Sequence, residues 1–333
     1  MPKDGDADAP KATFLAMLHF AFSSVGFSVS GDPTPTITLN NGVKMPAVAA
    51  GTWQYNTSTA TSSVTQAIAV GFTHIDTAHD YCSDGSTGSC SGGSNQPGIG
   101  KALQAAGLAR SDYFITTKVP GCGMQGISKF NCGEDSAKAA QTNLDELGLP
   151  YVDLVLIHFP PMGGCGKENC KLIKKQWAAL TDFYQANKTR AIGVSNFCPS
   201  CLECLAEDAS AVVPAVNQFK YHIGMGADPE GLLSYCKQHG IAAQAYSPLG
   251  DDSSELITGK FVTAAGKAHG KSGAQVSLRW IYQHGVAVTT KADTKEYLQE
   301  DLDLFSWSLT DAEMTEADGL TSPAGTPSFM CTA

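Results

Sequence analysis

Four residues with side chains suited to proton transfer lie at or just beyond the ends of three successive predicted strands. Asp76 ends one apolar run, Tyr81 follows five residues later, Lys118 comes after the next run, and His158 ends the third. Hydride addition to a carbonyl carbon leaves negative charge on oxygen, which needs a proton donor. A phenol can donate this proton, an adjacent ammonium lowers the phenol pKa, and a carboxylate keeps the ammonium charged. With an imidazole to orient the oxygen, the set is suited to carbonyl reduction.

Each of these four residues also has an ordinary structural explanation. Asp76 can cap a turn, Lys118 can be a solvated charge, Tyr81 can be a packing residue, and His158 can be a hydrogen-bonded core histidine. Taken singly, the structural explanations are stronger. Their occurrence together at neighbouring strand ends favours the chemical interpretation, because side chains at the carboxyl ends of barrel strands converge on one space.

The elements that must position these residues alternate between short apolar runs and amphipathic stretches of helix length. The predicted strands are 47–51, 73–76, 113–117, 154–158, 191–194, 215–218, 242–245 and 286–289. The predicted helices lie near 58–70, 97–106, 134–147, 171–187, 200–208, 229–239, 273–284 and 294–301. Such alternation indicates parallel βαβ units and an α/β fold.

A closed (β/α)8 TIM barrel fits this pattern better than an open doubly wound sheet. An open sheet of that type is expected to carry GxGxxG after its first strand, and residues 51–54 read Gly-Thr-Trp-Gln instead. Before the barrel, residues 37–39 and 43–45 flank Asn41-Gly42, which predicts an N-terminal β-hairpin.

We divide the chain into an N-terminal extension (1–35), a barrel domain (36–322) and a short tail (323–333). The apolar stretch 13–29 is too short and interrupted for a stable membrane span and favours a secretory signal peptide ending near residue 30. Three aspartates in the first eight residues oppose that interpretation, and the alternative is a poorly patterned extension. The short tail predicts few contacts over the pocket and an open site.

Eleven cysteines bear on the compartment. Nine of them cluster in segments that mostly read as loops: Cys82 and Cys90, Cys122 and Cys132, Cys165 and Cys170, and Cys198, Cys201 and Cys204. Close pairs in loops indicate disulfide bonds and an oxidising environment, so the secretory pathway is slightly favoured over the cytoplasm. The cysteine triple lacks a fourth ligand at a suitable spacing, so no metal site is predicted there or elsewhere.

The net charge and its distribution argue against a nucleic-acid partner. The net charge is −10 and the basic residues are scattered, so the electrostatic footprint of a nucleic-acid-binding protein is missing. We expect a small-molecule carbonyl substrate. Two long connections, 82–96 and 159–170, leave the carboxyl ends of predicted strands and are expected to shape the mouth of its pocket.

A family resemblance now becomes specific. Residues 71–81, GFTHIDTAHDY, resemble the aldo-keto reductase signature, and residues 192–197 (IGVSNF) and 245–249 (AYSPL) continue the match in order. The resemblance covers about residues 37–320. It implies a barrel oxidoreductase that binds NADP(H) without a Rossmann motif and works as a monomer or homodimer.

The resemblance also implies residue roles. Tyr81 matches the general acid, Lys118 and Asp76 its activating pair, and His158 the imidazole that binds substrate together with Trp53. The remaining matches concern the cofactor: Ser195, Asn196 and Gln218 at the carboxamide, Tyr246 stacked on the nicotinamide, Ser247 and Leu249 at the pyrophosphate, Lys291 at the 2′-phosphate and Glu300 at the adenine.

The adenosine end departs from the family pattern. Ala292, Tyr297 and Asp301 stand where the family has serine, arginine and asparagine, and Asp293 adds a negative charge. A tyrosine cannot reproduce the planar, charged contact that an arginine makes with phosphate. NADP(H) remains the expected cofactor, and use of NAD(H) or of both stays open.

We therefore expect an enzyme that reduces aldehydes, and ketones as a second class, to alcohols. The alternative is a nicotinamide-binding regulatory subunit, or a redox-sensing one, with little turnover. For redox sensing the cysteine to consider is Cys82, which lies near Lys118 in the expected barrel.

Overall fold

The computed structural model describes residues 34–87, 90–208, 211–251 and 253–327. The expected signal peptide lies outside these residues. Within them, no helix combines the length and apolar character needed to cross a membrane.

The N-terminal hairpin is present and covers one end of the barrel. Strands β1 (Thr36–Thr38) and β2 (Lys44–Pro46) pair antiparallel, and Gly42 takes a φ of 83° in the turn. Leu39 and Met45 are buried in a cluster with side chains from the amino-terminal halves of several barrel strands. The hairpin therefore lies at the end opposite to the catalytic residues predicted from the sequence.

In the described part of the chain, eight parallel strands close into the predicted (β/α)8 barrel. They are β3 (Val48–Gly51), β4 (His74–Asp76), β5 (Phe114–Val119), β6 (Val152–Ile157), β7 (Thr189–Ser195), β8 (Val216–Lys220), β9 (Ala242–Tyr246) and β10 (Ala287–Thr290). Neighbours in the chain are neighbours in the barrel, and β10 pairs with β3 to close it. Strands β5 and β6 are buried along their whole length, as expected for strands covered on both faces.

The helices surround this barrel. They are α1 (Thr57–Val70), α2 (Gln96–Ala106), α3 (Cys132–Leu147), α4 (Lys167–Gln185), α5 (Pro199–Ala206), α6 (Leu232–Gln238), α7 (Glu255–Thr258), α8 (Lys260–His269), α9 (Gly273–Gln283), α10 (Lys295–Leu302) and α11 (Asp311–Asp318). Each predicted helix has a counterpart, whereas α7, α8 and α11 were not predicted. The predicted helix 229–239 is divided, because Glu230 and Gly231 take left-handed φ values of 56° and 68° before α6 begins.

Four cysteine pairs lie at disulfide distance in the described residues. Two follow the clusters seen in the sequence: Cys82–Cys90 and Cys122–Cys132, with Cα atoms 4.8 and 5.4 Å apart. The other two connect the loop and first turn after β6 to α5: Cys165–Cys201 and Cys170–Cys204, at 5.0 and 5.4 Å. Cys165 and Cys170 thus pair across the structure and not with each other. Cys236 keeps a free, buried thiol.

Candidate active site

A cavity of about 760 Å³ opens at the carboxyl ends of the barrel strands. This volume is within the roughly 300–1,000 Å³ range of small-molecule and cofactor sites. Its wall includes most of the residues predicted from the sequence, namely Trp53, Asp76, Tyr81, His158, Asn196, Gln218, Tyr246, Ser247, Leu249 and Lys291. The structure therefore brings the expected catalytic and nicotinamide-proximal residues together.

Three predicted residues lie outside the cavity wall. Lys118 is fully buried directly behind it. Ser195 is also buried, and its hydroxyl donates to the backbone oxygen of Gln218 at 2.8 Å. Glu300 lies on α10, where its carboxylate accepts a hydrogen bond from Ser272 at 2.8 Å. The cofactor roles of all the predicted residues, Ser195 and Glu300 included, remain predictions.

The ammonium of Lys118 is the centre of the polar network. It donates to Asp76 Oδ1 at 2.5 Å, to the backbone oxygen of Thr77 at 3.0 Å and to Tyr81 Oη at 2.9 Å. An ammonium has three N–H donors, and all three are used. Because the ammonium donates to Tyr81 Oη, the phenol keeps its own O–H for a group in the cavity.

The other oxygen of Asp76 is also held. Gln218 Nε2 donates to Asp76 Oδ2 at 2.8 Å and approaches Gln244 Oε1 at 3.0 Å. Asp76, Lys118 and Gln218 are all buried, so a full set of partners is needed to offset the cost of removing these polar groups from water. The network fixes the direction of the ammonium towards Tyr81.

The pKa of Tyr81 moves in the direction opposite to the sequence expectation. Burial raises its pKa well above the ordinary value, and the negative charges of Asp76 and Asp80 raise it further. The adjacent ammonium does not outweigh these effects. Tyr81 is thus a fully protonated phenol, and the feature that suits it to proton donation is the direction of its O–H.

His158 has a partner that the sequence analysis did not assign. Its Nδ1 lies 2.7 and 2.9 Å from the two carboxylate oxygens of Asp80, and both side chains are at least 90% buried. Burial by itself raises the pKa of Asp80, but the charge and hydrogen bond of His158 bring this pKa below its ordinary value. The ring also stacks on Phe159, with centroids 4.3 Å apart.

One part of the cavity wall is built from the carboxyl end of β9 and the loops after β7 and β9. Tyr246 donates its hydroxyl to Asn196 Oδ1 at 2.6 Å, and Asn196 Nδ2 donates to the backbone oxygen of His158 at 2.9 Å. Asn196 and Ser247 both take positive φ values, 62° and 47°. Residues other than glycine rarely adopt this conformation, and it is concentrated at ligand sites.

Two lysines, Lys220 and Lys291, add positive charge to the cavity wall. Lys220 pairs with Asp251 at 2.8 Å, and both line the cavity. The Lys291 ammonium lies 5.9 Å from the ring centre of Trp53 and 5.3 Å from that of Tyr55. Burial lowers the pKa of Lys291, while Asp251 and Asp293 act in the other direction.

At the predicted adenosine end, a tyrosine stands where the family pattern has an arginine. Tyr297, which replaces it, is 60% exposed. Asp301 is buried and accepts a hydrogen bond from Thr290 Oγ1 at 3.1 Å. Burial raises the pKa of Asp301 to about 7, the Thr290 hydrogen bond lowers it less, and nearby Glu300 adds to the rise.

Both long loops reach the cavity, as predicted. Thr87 and Phe159 line its mouth from the connections after β4 and β6. The Cys82–Cys90 bond begins at the residue after Tyr81, so the first of these loops is tethered beside the phenol.

The sequence analysis missed three cavity residues with clear polar roles: Asp80, Lys220 and Asp251. Asp80 carried a signal, because a carboxylate directly before Tyr81 at a strand end must lie near the other strand ends. Lys220 follows Gln218 by two residues on β8, which places both side chains on the same face of the strand. No sequence signal identified Asp251.

Comparison with known proteins shows to which family the chain belongs. The model of the aldo/keto reductase family matches residues 46–322. The chain belongs to this family. Glyoxal reductase of Bacillus subtilis is 37% identical over 286 residues, covering 86% of this chain and 92% of that protein. Morphine 6-dehydrogenase of Pseudomonas putida is 33% identical over 301 residues, covering 86% and 91%.

Solved structures agree with this aldo-keto reductase assignment. The aldo/keto reductase of Brucella melitensis superposes with a TM-score of 0.72 at 32% identity, covering 86% of this chain and 98% of that one. The Bombyx mori aldo-keto reductase in complex with NADP superposes with a TM-score of 0.71 at 28% identity, covering 86% and 93%. The chain is therefore an oxidoreductase of the family that uses nicotinamide cofactors.

The cavity fits a nicotinamide cofactor on its own evidence. Its wall includes both His158 and Lys291. Thr289 Oγ1 is buried in the wall without a hydrogen-bond partner in the described residues. The amide groups of Asn196 and Gln218 match a carboxamide, the ring of Tyr246 offers a stacking surface, and Lys220 and Lys291 offer charge to phosphate.

Proposed function

We propose that this reductase converts aldehydes, with ketones as a second class, to alcohols at the expense of NADPH, with Tyr81 as the proton donor. The observation that carries the proposal is the direction of the Lys118 ammonium. Its three donors are used by Asp76, the Thr77 carbonyl and Tyr81 Oη. This arrangement leaves the phenol O–H directed to a cavity oxygen. When bound, the reduced nicotinamide supplies the hydride.

The side chains of the protein act on the carbonyl oxygen, whereas the hydride goes to the carbonyl carbon. An alkoxide is a stronger base than a phenolate, so a protonated Tyr81 can transfer its proton even though burial raises its pKa. The phenolate that results lies against the Lys118 ammonium, which stabilises the negative charge. His158 contacts the same oxygen from the other side, and Trp53, which is 39% exposed, borders the substrate end.

The preference for NADPH is supported by positive charge in the cavity wall. Lys291 remains available to a 2′-phosphate, and the Bombyx mori relative is a complex with NADP. Ala292, Tyr297 and Asp293 argue for a weaker preference than an arginine would give. We therefore expect NADPH to be favoured, with measurable use of NADH.

The test is consumption of NADPH and of NADH with a panel of small aldehydes that includes glyoxal. We compare the wild type with Tyr81→Phe and with the control Tyr151→Phe. Tyr151 precedes β6 at the opposite end of the barrel, where its ring stacks against Arg110. We expect Tyr81→Phe to lose at least about a hundredfold in kcat, the lower range for a general acid, and Tyr151→Phe to keep wild-type rates.

The outcomes separate the enzyme from a binding module. If the wild type binds NADPH but reduces no aldehyde or ketone, the regulatory or redox-sensing alternative replaces the proposal. If Tyr81→Phe keeps wild-type activity, the protein is a reductase with a different proton donor.

We also infer that the protein works in an oxidising compartment. The inference rests on the four cysteine pairs at disulfide distance in the described residues. Mass spectrometry after alkylation without reductant tests it: native protein from its source organism should keep these eight cysteines unlabelled, and extensive labelling would contradict the inference.

A further inference from the structure

The Asp80–His158 pair gives this site a property beyond proton donation by Tyr81. Both residues line the cavity. His158 Nδ1 lies 2.7 Å from Asp80 Oδ1 and 2.9 Å from Asp80 Oδ2, so both carboxylate oxygens face the same ring nitrogen. Asp80 is ionised at neutral pH, because the pull of His158 brings its pKa below the ordinary value despite burial. An ionised carboxylate is only an acceptor, so Nδ1 must carry a proton.

The second ring nitrogen is then the one that a substrate meets. Within the described residues, no group makes a hydrogen bond to His158 Nε2. When the ring is neutral, its single proton is on Nδ1, and Nε2 has a lone pair that accepts. When the ring is doubly protonated, Nε2 carries a proton and donates.

We propose that Asp80 is a positioning residue that sets the hydrogen-bond polarity of His158, so that the ring binds a carbonyl oxygen only as imidazolium and binds an alcohol hydroxyl as the neutral Nδ1–H tautomer. A carbonyl oxygen accepts but cannot donate, which excludes the neutral ring of this tautomer as its partner. An alcohol hydroxyl can donate to the lone pair of Nε2. This inference rests on the proposed carbonyl chemistry of the same cavity.

The other titratable groups around the pair do not replace this effect. The ring of Tyr81 lies 5.7 Å from that of His158 and is neutral, since burial raises its pKa. Lys118 lowers the pKa of Asp80 and helps keep it ionised. Phe159 and the amide of Asn196, which contact the ring and the backbone oxygen of His158, do not titrate.

The first experiment observes the tautomer directly and needs no catalysis. Nitrogen-15 NMR of histidine-labelled protein distinguishes protonated from unprotonated ring nitrogens, and His158→Gln assigns the resonance among the eight histidines of the chain. At alkaline pH we expect the wild-type ring to carry its proton on Nδ1. In Asp80→Asn an amide accepts and donates with equal ease, so the Nε2–H tautomer should appear. A wild-type ring with its proton on Nε2 overturns the proposal.

The second experiment measures kcat/KM for aldehyde reduction against pH at saturating NADPH. We expect the wild-type profile to fall on the alkaline side, because a neutral ring with its proton on Nδ1 offers only a lone pair to a carbonyl oxygen. In Asp80→Asn the neutral ring can donate through Nε2, so the alkaline fall should disappear. On the alkaline side its rate should stay about tenfold below the wild-type acid plateau, because a neutral ring donates a hydrogen bond that is not charge-assisted.

Two further variants complete the design. Asp80→Glu keeps a carboxylate and should restore the alkaline fall. Asp84→Asn removes the same charge from an exposed position in the same loop and should keep the wild-type profile. If Asp80→Asn lowers the profile equally at every pH, Asp80 has a packing role only and the proposal is wrong. If the wild type reduces no carbonyl at all, the proposed function fails, while the NMR result still decides the tautomer.

Discussion

Replacing Asp301 by asparagine should make the protein more stable at neutral and alkaline pH but not at acid pH. The carboxyl is 5% exposed and its one hydrogen bond in the described residues comes from Thr290. Burial raises its pKa from 3.8 to about 7. In the unfolded chain the group loses its proton near the lower value, and in the fold it keeps the proton up to the higher one.

The sign and magnitude follow from this difference. Between the two pKa values the folded state binds more protons than the unfolded state, so stability falls as pH rises. A difference of about three pKa units corresponds to about 4 kcal/mol at 1.36 kcal/mol for each unit. Between about pH 4 and pH 7, the free energy of unfolding of the wild type should fall by this amount relative to that of Asp301→Asn. Above that range the difference between the two proteins should stay constant.

The assay is urea unfolding of the protein without cofactor at pH values from 4 to 9. Glu296→Gln is the matched control, because it removes one carboxylate from an exposed position on the same helix, α10. In thermal unfolding at the same pH values, the melting temperatures of wild type and Asp301→Asn should diverge by about 8 °C at alkaline pH, at roughly 2 °C for each kcal/mol. Equal pH dependence of the wild type and both variants would mean that Asp301 is ionised in the fold, and the reasoning from burial would fail.

Two further predictions concern the cavity. Lys291→Met should raise KM for NADPH about tenfold or more while leaving KM for NADH nearly unchanged, because we propose that the ammonium pairs with the 2′-phosphate, which NADH lacks. Equal effects on both cofactors would contradict this role. The double variant Cys82→Ser/Cys90→Ser should lower the free energy of unfolding by about 2–3 kcal/mol, from closure of a short loop, and should raise KM for aldehydes, because that loop borders Tyr81. Unchanged stability relative to wild type would show that the bond is absent in solution.

The barrel could be predicted from the sequence because its strands are short apolar runs with regular spacing and polar ends. The prediction was weakest where helices lack an apolar face. Helix α11 reads DAEMTEAD and buries only Ala317, so it carries almost no amphipathic signal. Helix α8 does have an apolar face, which includes Val262 and Ala265, and the sequence prediction missed it; its Gly266 also approaches the Lys271 backbone, a contact that only the fold reveals. Such elements are held by tertiary contacts and capping, which a local pattern does not contain.

The candidate site was predictable in its residues but less so in its electrostatics. The order of strands places Asp76, Lys118 and His158 together in any parallel barrel, which is why the sequence found them. The pKa of Tyr81 depends on how deeply the phenol is buried, and that depth is set by packing from several loops. The sequence grouped Cys165 with Cys170, but in the fold each pairs with a cysteine that is remote in sequence. This pairing, too, is set by packing between loops that a local pattern does not contain.

The pairing of β10 with β3 has a consequence for biosynthesis. Val288 lies opposite Val48, so the first barrel strand obtains its second neighbour only when the last has been made. Until then a growing chain exposes one edge of β3, whose unpaired backbone groups are a template for association with other chains. Asp76, Tyr81 and Lys118 are therefore synthesised long before the barrel that aligns them can close. We expect the pairing of β3 with β10 to limit the rate at which the complete chain refolds, because these two strands are far apart in sequence.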